Sequence, residues 1–447
     1  MNNEVLWRWR ELCAALSLPE VDGPEVQGIS IDSRSASAGD LFVALTGDPG
    51  PRFHVGQRST RDGHDFIAAA TRAGAVGALV HIDAPEGVVG LRVDDTLDGL
   101  WALGAAARAR FAQPVVAVTG SSGKTTVKTF LKEAVGAFAT PGSLNNHLGV
   151  PLSLARTPRN ASAAVYEIGM NHPGEIEPLA RLVRPHVAVV VNVHPVHTEY
   201  FDDLDAIRVE KLSIGRGLEA GGTLVTPYGL NLQGVAPGHD VVTFGEDPNA
   251  DVQLVSMRGN SAQYRTPSGP IEATVPGGGM HRAISLASVV AALVALHRPV
   301  EAAAGLNPNS IPKGRGNRST VNGIVVIDDS YNANPASMTA ALESLASEAA
   351  GRRIAILGDM LELGDAARRY HIDLGRACEH LDGVYCVGSL MRSLYEALPP
   401  AKRLGHAASP TDIEMPDLHP GDVVLVKGSN RIFWAEQFVD ALLEKLG

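Results

Sequence analysis

The run Thr119-Gly120-Ser121-Ser122-Gly123-Lys124-Thr125-Thr126 constrains the fold of this chain more than any other stretch. It follows Val115-Val116-Ala117-Val118, which reads as a buried strand. It opens a helix whose apolar residues fall at Val127, Phe130, Leu131, Ala134, Val135 and Phe138. That i, i+3, i+4, i+7 spacing marks one face of a helix. A strand, a glycine turn and a helix in this order form a phosphate site, because backbone N–H groups and the helix N-terminus converge on anionic oxygens. Gly120, Ser121, Ser122, Gly123 and Thr126 would wrap the phosphates, Lys124 would reach the outer ones, and the Thr125 hydroxyl could ligate Mg²⁺. Val118 stands where the longer form of the loop has its first glycine, so the pattern here is Thr-Gly-x-x-Gly-Lys-Thr. The expected ligand is a nucleoside triphosphate.

The rest of the chain bounds what surrounds that loop. Its 447 residues suggest roughly three domains, each with its own core. We expect an α/β protein with a small α/β N-terminal domain over residues 1–94. A central P-loop domain with a mostly parallel sheet would span 95–311, and a Rossmann-like C-terminal domain 312–447. In the first part, short strands at 28–31, 41–45, 77–80 and 90–93 surround a helix beginning near His64. The Gly/Pro/Arg-rich segment 47–62 reads as a surface loop. The central domain has later strands at 163–168, 186–193 and 222–225, then short β structure and turns over 240–274. The run Val187-Ala188-Val189-Val190-Val191 is apolar throughout, as in a parallel strand covered on both faces. The last third alternates strands at 324–327, 354–357, 384–387 and 423–426 with helical patterns, the final one at about 431–446.

Lys and Arg number 38 against 49 Asp and Glu, and the net charge of −11 argues against a nucleic-acid partner. An anionic substrate needs only a local basic pocket. The three cysteines, Cys13, Cys378 and Cys386, are too few and too scattered for a disulfide framework and fit a reducing compartment. The longest apolar run, Leu286 to Leu296, is shorter than the ~18 residues of a membrane span. With no signal-peptide layout, the expectation is a cytoplasmic protein that does not span a membrane.

In open α/β sheets ligands sit beyond the carboxyl ends of the strands, and several polar residues occupy such positions. Glu167 closes one strand. It could hold Mg²⁺ against the phosphates or be an ordinary strand-end acid. His194 and His197 follow another strand, but no Cys or acid completes a zinc spacing, and each alone reads better as a solvated or core-satisfied histidine. Lys211, in a helical stretch, reads as an ordinary exposed lysine. Asp328-Asp329 ends a strand in the last third and leads into Ser330-Tyr331-Asn332-Ala333-Asn334-Pro335, which is either a ligand-facing turn or a plain Asx turn. The triple glycine 277–279 lacks a Lys-Ser/Thr partner and reads as a helix entry. No guanine-reading Asn-Lys-x-Asp stretch is present to support a GTPase.

Thr-Gly-Ser-Ser-Gly-Lys-Thr-Thr beside Asp-Asp-Ser-Tyr-Asn-Ala-Asn-Pro resembles the Mur ligases of peptidoglycan synthesis, over essentially the full length. Further matching stretches are Ile31-Asp32-Ser33-Arg34, Asp62-Gly63-His64-Asp65-Phe66, Leu144-Asn145-Asn146-His147-Leu148-Gly149-Val150-Pro151, Gly169-Met170-Asn171-His172-Pro173-Gly174-Glu175-Ile176, Gly358-Asp359-Met360-Leu361-Glu362-Leu363-Gly364 and Lys427-Gly428-Ser429. Several are similar to the dipeptide-adding branch, and the Asp-Asn-Pro-Arg clamp of a sibling branch is missing.

The resemblance implies an ATP-dependent ligase joining D-alanyl-D-alanine to UDP-N-acetylmuramoyl-tripeptide through an acyl phosphate, acting as a monomer. The alternatives are a sibling ligase adding a different amino acid and a non-catalytic nucleotide-binding homologue. It further implies that Ser33 and Arg34 hold the UDP moiety and that Asn145 contacts substrate. Asn146, Ser285, Asp329 and Asn334 would contact ATP, and Arg315 would face the γ-phosphate. Thr125, Glu167, His197 and Lys211 would hold two Mg²⁺, the last as a carbamylated lysine. Together with Lys124, the residues Lys211, His197 and Arg315 would carry catalysis. The family's His-Asn-x-x-Asn is His281-Arg282-Ala283-Ile284-Ser285 here, a departure at the helix that meets adenine.

Overall fold

Three sheets, each mostly or wholly parallel, organise the chain in the computed structural model, which describes residues 4–47, 61–233, 238–414 and 417–447. Of the loop expected over 47–62, residues 48–60 lie outside the described residues. The first sheet is parallel throughout, in the order Gly28–Ser30, Asp40–Val43, Gly77–Val80, Gly90–Arg92. Its core is not closed by its own residues alone. Leu100, Leu103 and Ala107 of helix Thr96–Ala109, with Leu152 and Ala155 of helix Gly149–Ala155, pack against Trp7, Leu12, Leu41 and Leu79. The Trp7 indole N–H donates to the Ala155 carbonyl at 2.9 Å, fixing this unit on the next.

The central sheet has eight strands. Six are parallel, in the order Val252–Arg258, Asp240–Gly245, Thr223–Pro227, Val187–Val190, Val115–Thr119, Ala164–Glu167. Ser261–Thr266 and Gly269–Thr274 extend it as an antiparallel edge, which is how the short β structure of 240–274 resolves. Every residue of Val115–Thr119 is buried, as the unbroken apolar run requires of a strand covered on both faces. Chain order reverses at this strand: the next goes to one side of it and the following one to the other. Such a switch point opens a crevice at the carboxyl ends, and there the glycine loop sits. Helix Lys124–Val135 follows with Val127, Phe130 and Leu131 buried. It stops at Gly136, whose φ of 59° suits glycine, so Phe138 lies beyond the helix and not on its face.

The third sheet is ordered Asn317–Val321, Ile324–Asp329, Val423–Lys427, Arg353–Gly358, Gly383–Val387, Arg403–Ala407, parallel except for its first strand. The two edge strands carry half-exposed residues, which hides them from a search for apolar runs. The final helix spans Phe438–Leu446, so the pattern read from about 431 starts late. Cys13, Cys378 and Cys386 are free and buried. No helix among the described residues is long and apolar enough to cross a membrane.

Candidate active site

The glycine loop is pinned from below by the strand beside it. Asn192, just past Val187–Val190, accepts from the Ser121 N–H through its carbonyl at 3.1 Å and from the Ser122 N–H through its side-chain oxygen at 2.9 Å. Its amide donates to Ser122 Oγ at 3.1 Å. Ser121 Oγ is bonded to the backbone of His194 on both sides, donating to its carbonyl and accepting from its N–H. Gly123 caps the helix at φ 75°, a left-handed position that side chains rarely adopt. Lys124 Nζ donates to the Gly120 carbonyl at 2.7 Å, and burial pushes its ammonium below the ordinary lysine range, with Glu167 opposing.

Glu167 is the hub of the site. Thr125 Oγ1 donates to one carboxylate oxygen at 2.8 Å, and Asn145 Nδ2 to the other at 2.8 Å. Lys128 Nζ stands 3.4 Å away and also donates to the carbonyls of Thr140 and Gly142. Lys128 therefore straps segment 140–145 to the phosphate-loop helix. That segment brings in Ser143, which bonds Thr125 Oγ1 and accepts from Arg315 Nη2 at 3.0 Å. Strand-end placement flagged Glu167, but nothing local in the sequence marks Lys128, Ser143 or Asn192.

The third unit supplies the opposite wall. Arg315 stacks over the Tyr331 ring at 4.3 Å. Asp329 accepts from Lys427 Nζ at 2.7 Å, and the Asn334 side chain accepts from the Ser337 N–H as the cap of helix Pro335–Ala346. The Asn146 side chain is likewise taken up by the Leu148 and Gly149 amides, and Ser285 Oγ donates to the His281 carbonyl. The walls enclose a cleft of about 800 Å³ lined by Ser121–Lys124, Asn145, Asn146, Glu167, His197, Ser285, Arg315, Asp329 and Asn334, among others. Ser33 and Arg34 are outside it: both lie on the first unit, where the Arg34 guanidinium grips Asp32.

His197 closes the cleft on another side. Its Nδ1 pairs with Glu362 of the third unit at 2.6 Å, and that bond holds the Glu362 carboxyl below the usual carboxylate range. Both residues have positive φ, 53° and 61°, and Thr198 Oγ1 adds a bond to the Leu363 carbonyl.

Lys211 corrects the sequence reading. It is not an exposed lysine but is 1% accessible, its Nζ 3.8 Å from the Met170 sulfur. Burial pushes its ammonium well below the ordinary lysine range. Lys124 adds to that shift, and Glu210 opposes it. Glu210 is itself occupied, accepting from the Gly174 and Ile176 amides.

One cluster of metal-ligand types does form among the described residues, at Asp62, His64 and His81. Both ring nitrogens of His64 are already engaged: Nδ1 with Asp62 at 2.6 Å, and Nε2 accepting the His81 N–H at 3.1 Å. That pairing places the proton on Nδ1 and leaves the His64 ring no lone pair free for a cation.

Residues 118–293 match the family model described as Mur ligase middle domain, and 314–430 that of the Mur ligase, glutamate ligase domain. The UDP-N-acetylmuramoyl-tripeptide–D-alanyl-D-alanine ligase of Bacillus subtilis is 31% identical, covering 96% of each chain. The ligase of the same name from Escherichia coli K12 is 33% identical over 85% of each. Among solved structures, MurF from Acinetobacter baumannii superposes with a TM-score of 0.82 at 30% identity, covering 98% of this chain and 99% of that one. MurF ligase from Thermotoga maritima in complex with ADP gives 0.76 at 26%, covering 94% and 97%.

Proposed function

Because this chain belongs to the Mur ligase family, we propose that it is an ATP-dependent peptide ligase. It joins D-alanyl-D-alanine to UDP-N-acetylmuramoyl-tripeptide, giving the pentapeptide, ADP and phosphate. We place it, as a monomer, in cytoplasmic peptidoglycan precursor synthesis. The observation that carries the reading is the shared cleft. The phosphate loop and Glu167 form one wall, and Arg315, Asp329 and Asn334 face it from the third unit.

In this reading residues 1–94 hold the UDP end through Ser33 and Arg34, residues 95–311 hold ATP, and residues 312–447 admit the dipeptide. Thr125 Oγ1 and the Glu167 carboxylate, 2.8 Å apart, are hard oxygen donors beside the loop and suit Mg²⁺. An Mg²⁺ ion held by these two groups would supply neutralisation of the phosphate charge. His197 keeps Nε2 free for a second ion while Glu362 holds Nδ1. As an ammonium, Lys211 has no lone pair to offer. Its burial favours the neutral amine, whose nitrogen attacks CO₂ and releases a proton, leaving a carbamate anion with two donor oxygens.

The terminal carboxylate of the tripeptide attacks the γ-phosphorus and ADP departs, leaving an acyl phosphate. Lys124 and Arg315 stabilise the charge spread over the transferring oxygens. The dipeptide amine then attacks the acyl carbon. The tetrahedral intermediate expels phosphate, and the nitrogen loses its proton. Acyl phosphates hydrolyse readily, so the third unit must exclude water while they exist. Positional-isotope exchange in ATP tests this sequence. Scrambling that needs the tripeptide substrate but not the dipeptide supports the intermediate, and dipeptide-dependent ADP release without scrambling refutes it.

A further inference from the structure

Arg282 lines the cleft where the adenine-facing helix departs from the pattern the family resemblance implies, and its guanidinium is taken up by backbone carbonyls. Helix Met280–Ala295 is entered through Gly277, Gly278 and Gly279, at φ 73°, 64° and 86°. The Arg282 side chain folds back over this entry. Nη1 donates to the Gly277 and Gly278 carbonyls at 2.9 and 3.0 Å, and Nη2 donates to the Arg315 carbonyl at 2.9 Å.

The Arg315 carbonyl belongs to the third unit's side of the junction. Its neighbours are built into that unit: the Gly316 N–H donates to the Asp328 carbonyl at 2.6 Å, and the Tyr331 N–H to the Gly314 carbonyl at 3.0 Å. One guanidinium thus ties the nucleotide-facing helix of the central unit to the backbone that presents Arg315. The slot it occupies is made by glycine. A Cβ on Gly316 would overlap Nη2, and one on Gly277 would stand 3.3 Å from Cζ. The planar fork of arginine suits three carbonyls held in one place, which an ammonium on a flexible stem does not match.

We propose that Arg282 is a positioning residue: it fixes the Arg315 backbone and with it the closed placement of the third unit over the phosphate loop, and it takes no part in reading the base. The proposal rests on the ligase reading of the cleft, but its test does not. In the full chain, spin labels at Arg258→Cys and Glu444→Cys report the distance between units, since Cys13, Cys378 and Cys386 are buried. Arg282→Met keeps the length and removes the donors.

The expected result is a broadened distance distribution with ADP affinity within about twofold, and a kcat about tenfold lower at similar KM for ATP. Arg282→Lys should recover part of both. Arg282→Gln, which keeps a polar side chain but cannot reach three carbonyls at once, should broaden the distribution in the same way if Arg282→Met folds poorly. An unchanged distribution overturns the proposal, as does a loss of ADP affinity beyond about fivefold. Absence of any amide product from the unmutated protein would sink the ligase reading, and the distance measurement would still decide the clamp.

Discussion

Lys128→Met should loosen the central unit sharply. The Lys128 and Glu167 side chains are 4% and 1% exposed, a buried pair 3.4 Å apart, and the lysine also serves the Thr140 and Gly142 carbonyls. Removing one partner of a buried pair costs about 3–5 kcal/mol, because the remaining charge is left uncompensated. At 1.4 kcal/mol per tenfold, a loss near 4 kcal/mol means about a thousandfold more opening. Hydrogen exchange at the amides of Val116, Ala117 and Val118 reads that opening locally, without assuming that three units unfold together. Lys128→Met with Glu167→Gln removes both charges and should restore about 2 kcal/mol relative to the sum of the single changes. A single-variant effect below about 1 kcal/mol, or strict additivity, would refute the claim that Lys128 holds Glu167 and its loop in place.

Lys124→Ala should abolish ATP turnover while circular dichroism stays unchanged; retained ligation would remove the phosphate-loop assignment. Unmodified Lys211 binds its proton more weakly in the fold than in the unfolded chain, so it lowers stability below the unfolded value near 10.4, and raising pH restores stability. In CO₂-free buffer the melting temperature should therefore climb between pH 7 and 9, and Lys211→Met should flatten that climb; equal slopes would contradict it. Burial, reinforced by Arg282, lowers His281 to about 4. The unfolded chain then binds the extra proton first, and stability should fall as pH drops from the free-histidine value near 6.5 towards 4. His281→Gln should remove that component, and an unaltered acid limb would exclude it. Asn192→Ala should raise KM for ATP, because the Ser122 N–H and hydroxyl lose their side-chain anchor while the backbone carbonyl at 192 still holds the Ser121 amide; an unchanged KM would show the loop to be self-supporting.

Periodicity and punctuation made much of the architecture legible. The apolar runs at 115–118 and 187–191 are central parallel strands, and Gly123 marks the helix start. The edge strands Asn317–Val321 and Arg403–Ala407 escaped because half-exposed residues leave no apolar run. Phe138 was misplaced because a left-handed Gly136 ends the helix before it. Within the site, Glu167 could be suspected from its place at a strand end. Lys211 could not, since its surroundings come from Met170, Lys124 and Glu210, and only the last is local to it. The Lys128 strap and the Arg282 clamp depend on backbone carbonyls, which carry no signature in the sequence.

The most direct measurement is product analysis by mass spectrometry, with UDP-N-acetylmuramoyl-tripeptide, MgATP and either D-alanyl-D-alanine or single amino acids. The account expects one UDP-N-acetylmuramoyl-pentapeptide and one phosphate for each ADP, with the dipeptide alone. Preferred capture of a single amino acid, or ADP formed without any amide, would contradict it.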